Sequence, residues 1–231
     1  MTLADVIVLA RRVAHSEDFS VKRCEYIDQC APRIDLISES VLNGIDGIQP
    51  PEGWRVVPVS RVYARVCSLS QFKKIVFYRA DGLGTLRGVY GYVEMQQESA
   101  SIVYNGGLNL CWERFTLVKE LMHLLLPITP DGTSRDSVAG SMLETAVASR
   151  WMRFTSSTQL SDELAALIMT LEVLVPWSLR PQMSRLIMAQ ATPYQIAKVF
   201  MMPLNFCEYM LTSDYLNLSA RINEEVQDAA E

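Results

Sequence analysis

The chain has 231 residues, of which 49% are hydrophobic and 20% are charged, and its net charge is −5. This length and hydrophobic content allow one large domain or two small ones with a sizeable core. The negative charge argues against a general nucleic-acid binder, and no apolar run reaches the roughly 18 residues that a membrane-spanning helix requires.

Residues 2–15 predict an amphipathic helix, with His15 at its end. Its apolar residues fall on one side at helical spacing. They are Leu3, Val6, Ile7, Ala10 and Val13. The segment lacks the basic start and the small-residue cleavage site of a signal peptide, so we expect a cytoplasmic protein. The scattered cysteines form no CxxC pair and indicate reduced thiols. They are Cys24, Cys30, Cys67, Cys111 and Cys207.

A second helix, bent near Pro32, is predicted for residues 20–45, and a turn-forming run follows at 47–53. Segments rich in β-branched and aromatic residues then predict a small β-meander. The predicted strands cover residues 54–57, 62–67, 74–79, 86–95 and 100–104. Pro58 is expected to end the first strand or to mark a sheet edge.

The remainder of the chain predicts helices separated by prolines. The central helix begins after Asn109, and Pro127 and Pro130 stop it. The later helices are predicted at residues 134–153, at 161–174, after Pro181, from Thr192-Pro193 onward, and at 204–212. The polar tail after Ser219 is expected to fray. Together these elements predict a mainly helical α+β fold.

The central helix carries the most informative cluster. Residues 114–126 are apolar on nearly every side, yet Lys119, Glu120 and His123 lie within about one turn. The i, i+4 spacing puts Lys119 and His123 on one face, with Glu120 beside them. A buried charge is costly unless it is paired or bound to a metal. The spacing is that of the zinc-peptidase motif H-E-x-x-H with the first histidine replaced by lysine; an ordinary salt bridge in an unrelated helical protein is the alternative.

Three segments resemble the ImmA/IrrE family of bacterial and phage metallopeptidases, a gluzincin-like group. Residues 101–105 look like the edge strand before the family's motif helix, and residues 114–123 look like its R-F-T-L-A-H-E-L-G-H sequence. Glu163-Leu-Ala-Ala166, leading to Pro176, resembles the helix that supplies the family's third zinc ligand, although the family's Asn and Phe positions are Leu167 and Met169 here.

The resemblance implies a zincin-like domain over residues 1–176 and a C-terminal helical segment, similar to a helix-turn-helix, over 177–231. Within the first unit it implies N-terminal helices, a small sheet, a motif helix packed on that sheet, and a third-ligand helix. Their expected ranges are 1–46, 54–105, 112–126 and 161–175. Residues 204–212 contain no basic side chain, so the C-terminal segment favours packing or a protein partner over DNA.

Carried over to this sequence, the family pattern makes Glu120 the general base and makes His123 and Glu163 two zinc ligands. Lys119 stands where the remaining ligand is expected. Catalytic zinc generally takes three protein ligands and a water, whereas lysine is normally a cation and repels the metal.

Glu144 and Asp162 lie in the same region and are candidates to replace the missing zinc ligand. Cys111 lies about 12 Å from Lys119 along the helix axis at 1.5 Å per residue, which makes it a poor substitute.

Two hypotheses from different classes follow. In the first, Lys119 forms an ion pair with Glu163 or Glu120, His123 hydrogen-bonds to one of them, and no cofactor is bound. The chain is then a catalytically inactive regulatory protein of bacterial or phage origin that binds a protein partner of the repressor or antitoxin type. In the second, it is a zinc endopeptidase with an altered ligand set that cleaves a specific protein. A toxin or phage-defence component is a third, weaker alternative that the family context permits.

Overall fold

A computed structural model describes residues 1–14, 56–81, 89–127, 135–138 and 161–228. Within these ranges the chain is an α+β protein with eight α-helices and a four-stranded mixed sheet. The predicted helix at 20–45, the turn at 47–53, His15, Cys24, Cys30 and Glu144 lie outside the described residues.

The helices occupy both ends of the chain and its centre. Their bounds are α1 (Leu3–Ala14), α2 (Val59–Leu69), α3 (Leu110–His123), α4 (Asp162–Leu174), α5 (Arg180–Met188), α6 (Pro193–Phe200), α7 (Leu204–Met210) and α8 (Ser213–Asp228). A short 3-10 turn, Trp177–Leu179, joins α4 to α5. The structure thus confirms the predicted helices at the N-terminus, at the centre, and at 161–174.

The sheet is mixed and is not the predicted meander. Its strands are β1 (Lys74–Ala80), β2 (Val89–Met95), β3 (Ser99–Asn105) and β4 (Arg135–Val138), in the order β1-β3-β2-β4. β1 pairs with β3 in parallel, whereas β2 pairs antiparallel with both β3 and β4. Alternation along a strand fixes which face is buried but not which neighbour it pairs with, and this explains the error.

Helix α3 lies at the centre of the core. Every residue from Glu113 to His123 is buried, because α3 packs against β2 and β3 on one side and against α2 and α4 on others. It runs over 110–123 instead of the predicted 112–126, and a turn over 124–126 ends it before Pro127. The apolar sequence of α3 therefore reflects contacts on nearly all of its faces.

The predicted strand at 62–67 is wrong, because these residues belong to α2. The buried side chains of α2 are Val59, Val62, Tyr63 and Val66, a helical spacing of three and four residues. The β-branched composition suggested a strand, but packing against α3 selected the helix. Propensity is a weak prior that tertiary contacts override.

Three further predictions require correction. Val56 and Val57 lie outside the strands, and Pro58 precedes α2 instead of ending a strand. Residues 135–138, assigned to a helix over 134–153, form β4; the remainder of that segment lies outside the described residues. The tail after Ser219 continues α8 to Asp228, since apolar side chains at helical spacing hold it on the core. They are Leu218, Ile222 and Val226.

Two buried arginines join the C-terminal helices to the rest of the core. Arg114 of α3 donates hydrogen bonds to the carbonyl oxygens of Phe200 (2.8 Å) and Met201 (3.1 Å), at the end of α6. Arg180 of α5 forms an ion pair with Glu172 of α4. The segments 1–176 and 177–231 are therefore tied together by buried polar contacts.

Among the described helices, none is by itself long and apolar enough to cross a membrane. The pair Asp162–Leu174 and Trp177–Met188 reaches the necessary length and composition only together, with a bend of 51° between them.

Candidate functional site

The candidate site lies where α3 crosses the start of α4. Asn109 caps α3 by accepting a hydrogen bond from the Trp112 N–H at 3.1 Å. Because Lys119 and His123 are four residues apart, they lie on the same face of α3, and this face meets the first turn of α4. Glu163 is the second residue of α4. Ser161 occupies the N-cap position of α4, but its side chain makes no capping hydrogen bond.

Four predicted residues meet at this crossing. The Nζ of Lys119 lies 2.7 Å from Oε2 of Glu163 and 3.7 Å from Oε1 of Glu120. The Nε2 of His123 lies 3.2 Å from Oε1 of Glu163. Glu163 is thus shared, with one carboxylate oxygen facing the ammonium group and the other facing the imidazole. The helical spacing predicted that Lys119 and His123 lie together, and the resemblance predicted Glu163 beside them from a helix about forty residues later; the structure brings all of them together.

The four side chains differ in their access to solvent. Those of Glu120 and His123 are fully buried, and 4% of the Lys119 side chain is exposed. The Glu163 side chain is 32% exposed. Glu163 therefore forms the solvent-facing rim of the cluster, and the other three lie behind it in the core.

The contacts of Lys119 and His123 with Glu163 are at ion-pair distances. Among the described residues, neither oxygen of Glu120 has a hydrogen-bond partner. The charge of Lys119 is consequently the main compensation for the buried Glu120 carboxylate, and an unpaired buried carboxylate is costly.

The pKa of Glu163 depends on its burial and on its contacts with His123 and Lys119. Burial alone raises the pKa of this carboxyl group, but His123 and the Lys119 charge outweigh that effect and lower it from 4.5 to about 2. Glu163 therefore remains ionised through the physiological pH range. Its position in the first turn of α4 also suits a negative charge, because the N-terminus of a helix carries partial positive charge.

Gly91 of β2 brings the sheet unusually close to the cluster, a feature that the sequence analysis missed. A Cβ atom at this position would lie 2.7 Å from Cγ2 of Thr116, 3.0 Å from the Val103 carbonyl oxygen and 3.6 Å from Cγ of Glu120. A larger residue at this position would overlap Thr116, so β2 or the Thr116 side chain would have to shift. A glycine inside a strand pattern is a signal of a bulge, a bend or a close backbone approach, but which helix approaches Gly91 depends on the tertiary structure.

The described residues do not fit a zinc site of the usual catalytic type. His123 and Glu163 come together as the resemblance implies, but the next group at this point is the Lys119 ammonium, 2.7 Å from Glu163. No set of three or more His, Cys, Asp or Glu side chains able to hold a metal occurs in the described part of the chain. A cation in a ligand position opposes zinc by charge and offers it no lone pair.

Two of the groups considered from the sequence, Asp162 and Cys111, do not change this result, and Glu144 lies outside the described residues. Asp162 precedes Glu163 in α4, but it joins no such metal-binding set among the described residues. Cys111 lies in the first turn of α3, eight residues before Lys119, and burial raises the pKa of its thiol although Arg114 opposes that effect. A protonated thiol is a weak zinc ligand.

Comparisons of the chain with protein-family models, with curated proteins and with solved structures give no match.

Proposed function

We propose that the chain is a non-catalytic protein that binds a protein partner and is built on a scaffold resembling the ImmA/IrrE metallopeptidases. In this proposal the Lys119 ammonium takes the place of the zinc ion. It compensates part of the charge of the carboxylates that would otherwise serve the metal, and Glu120 has no metal-bound water to deprotonate.

The position of Lys119 carries the proposal. Its Nζ lies within 4 Å of both Glu163 and Glu120, so one cation faces the proposed ligand and the proposed base together. A divalent ion placed between the same groups would meet a positive charge where it needs an electron pair. Lys119 therefore supplies a positive charge at this point without a metal.

A protein partner suits the C-terminal helices better than DNA does. In the helix-turn-helix that the resemblance implies, α7 would be the recognition helix, but it contains no lysine or arginine and exposes Glu208. Reading DNA requires several basic side chains on that helix. By its resemblance, the partner is a repressor-like or antitoxin-like protein in a bacterial or phage system.

Metal analysis of the native protein tests the proposal. The full chain is purified without chelator, dialysed against buffer with excess zinc and then against metal-free buffer, and its zinc content is measured by elemental analysis. We expect no stoichiometric zinc and an identical thermal unfolding curve with and without EDTA.

The competing hypothesis, an active zinc endopeptidase, gives the opposite result. Stoichiometric zinc that disappears in both His123→Ala and Glu163→Ala would overturn the proposal. So would chelator-sensitive cleavage of a protein substrate that Glu120→Gln abolishes, because Glu120 acts as a base only beside a metal-bound water.

A further inference from the structure

The strands β1, β2 and β3 bury one face of the sheet in the core and turn the other face towards solvent. On the core side, the Cβ position of Gly91 points at Thr116 and Glu120 of α3, and Val93 and Ile102 beside it are fully buried. Side chains alternate between the two faces along a strand. In β3 the residues of the core face are buried and those of the other face are half-buried throughout, which is typical of a sheet with one face in water.

Two tyrosines lie in register on the solvent-facing side. Tyr78 of β1 pairs with Val103 of β3, and Val103 pairs with Tyr92 of β2, so the three side chains stand abreast on one surface. The Tyr78 side chain is 52% exposed, and those of Val103 and Tyr92 are half-buried. We call this solvent-facing surface the outer sheet face. The members used below are Lys74, Val76, Tyr78, Tyr92, Glu94 and Val103.

The distance between the two tyrosines suits a ligand with a short repeat. Neighbouring strands lie about 4.8 Å apart, so the backbones at Tyr78 and Tyr92, two strands apart, are separated by about 10 Å. A polyproline II helix has three residues per turn and rises about 3.1 Å per residue, so its residues i and i+3 lie on one side about 9 Å apart. Prolines at i and i+3 can therefore each contact one tyrosine ring, while the residues between them cross the smaller Val103.

We propose that the outer sheet face is a docking surface for a proline-rich segment of a protein partner, bound as a polyproline II helix. This inference rests on the proposed function, in which the chain binds a protein partner. Proline-rich segments dock on aromatic-lined surfaces, and their preformed helix lowers the entropic cost of binding. A polyproline II helix has no internal hydrogen bonds, so its carbonyl oxygens can accept hydrogen bonds from the hydroxyl groups of Tyr78 and Tyr92. Val76 and Val103 add apolar surface between and beside the rings.

Two other occupants fit less well. Single-stranded nucleic acid also stacks on aromatic side chains, but its phosphates require a positively charged groove. The exposed Lys74 and Glu94 of the outer sheet face carry opposite charges, and Lys73 next to this face pairs with Glu98. A second copy of the chain requires about 800 Å² per partner for a stable interface. Three strands of seven residues present roughly 300 Å² at the usual strand spacing and rise, an area that suits a short peptide.

Binding of defined peptides tests the inference. The probe is a synthetic fluorescent peptide with proline at every third position and alanine or serine between, and fluorescence anisotropy measures its affinity for the full chain. A second peptide carries glycine in place of each proline, which removes the rings and the preference for polyproline II. We expect the proline peptide to bind at least about tenfold more tightly, because it is preorganised and offers rings to the tyrosines.

Matched substitutions locate the binding surface. Tyr78→Ser and Tyr92→Ser should each weaken the proline peptide by about tenfold, as expected for removal of an aromatic interface contact. Tyr194→Ser is the control, because Tyr194 is 54% exposed, close to the 52% of Tyr78, but lies on α6 outside the sheet. Both of these tyrosines are exposed, so the unfolding curves of Tyr78→Ser and Tyr194→Ser should coincide with that of the parent chain. Tyr78→Ser decides the test if the half-buried Tyr92 does not tolerate serine.

The inference is overturned if neither peptide binds, if both bind equally, or if Tyr194→Ser weakens binding as much as Tyr78→Ser. Self-association that Tyr78→Ser abolishes, measured by sedimentation, would assign the outer sheet face to a second copy. Binding of a deoxythymidine oligomer that Tyr78→Ser abolishes would assign it to nucleic acid, and either result refutes the inference. Failure of the proline peptide with a zinc-free native chain refutes the docking surface alone, whereas stoichiometric zinc with intact peptide binding refutes the proposed function alone.

Discussion

Replacing Lys119 with methionine should destabilise the fold strongly. Methionine keeps most of the side-chain length and removes the charge, so the substitution isolates the electrostatic role of Lys119. It leaves the Glu120 carboxylate buried, with no exposed surface through which water can solvate it. Removing one partner of a buried ion pair costs about 3–5 kcal/mol. Glu163 contributes less to this cost, because it is 32% exposed and water can solvate it.

The free energy of unfolding is measured by urea denaturation at pH 7, with tryptophan fluorescence as the signal. Lys73→Met is the matched control, since Lys73 pairs with Glu98 on the surface and both side chains are more than half exposed. A surface ion pair of this kind contributes at most about 1 kcal/mol. In a protein of this size, a loss of 3–5 kcal/mol also lowers the melting temperature by about 10 °C.

A second substitution separates lost charge compensation from lost packing. Glu120→Gln in the Lys119→Met background removes the uncompensated carboxylate and should recover about half of the lost stability or more, because a neutral amide is cheaper to bury than a carboxylate. The reasoning is refuted if Lys119→Met costs no more than Lys73→Met. It is also refuted if the double variant is no more stable than Lys119→Met alone.

Three further predictions concern the same crossing of α3, α4 and β2. The low pKa of Glu163, about 2 against the ordinary 4.5, stabilises the fold fully above pH 4.5 by about 2 kcal/mol after screening by solvent. This stability is lost as the pH falls from 4.5 towards 2, so acid titration of unfolding should show a drop that Glu163→Gln removes; equal pH profiles would contradict the ion pair. Lys119→His should restore two imidazoles at i, i+4 spacing and raise zinc affinity at least about tenfold by calorimetry, and an unchanged affinity would refute the proposed kinship of the cluster. Gly91→Ala should cost about 1–3 kcal/mol by urea denaturation, because its methyl group would overlap Thr116, and a neutral result would show that β2 can move away from α3.

Segments with a single dominant period were predictable from the sequence. The helix at 161–174 and the helix start at Thr192-Pro193 are found as predicted. At the latter, Thr192 and Gln195 form a reciprocal cap, and such local interactions need no tertiary context. The strands at 74–79 and 100–104 are likewise found within one residue of their predicted ends.

Segments with competing signals were not predictable in the same way. The β-branched run at 62–67 suits a strand by composition and a helix by the spacing of its buried residues, and contact with α3 selects the helix. The polar tail after Ser219 has too few apolar residues to predict a stable helix alone, yet Ile222 and Val226 are buried against the core. In both cases the burial of apolar side chains determines the secondary structure, and this burial depends on neighbours distant in sequence.

The sequence alone determined that Lys119, Glu120 and His123 share one turn of an apolar helix, because three- and four-residue spacing is a property of the helix itself. The resemblance predicted Glu163 at the same site, but only the tertiary structure decided that its one carboxylate contacts both Lys119 and His123 and that β2 approaches them closely at Gly91. Such contacts join residues that no local rule connects. They form because closing the core brings α4 and β2 onto α3, and the buried charges then have to compensate one another.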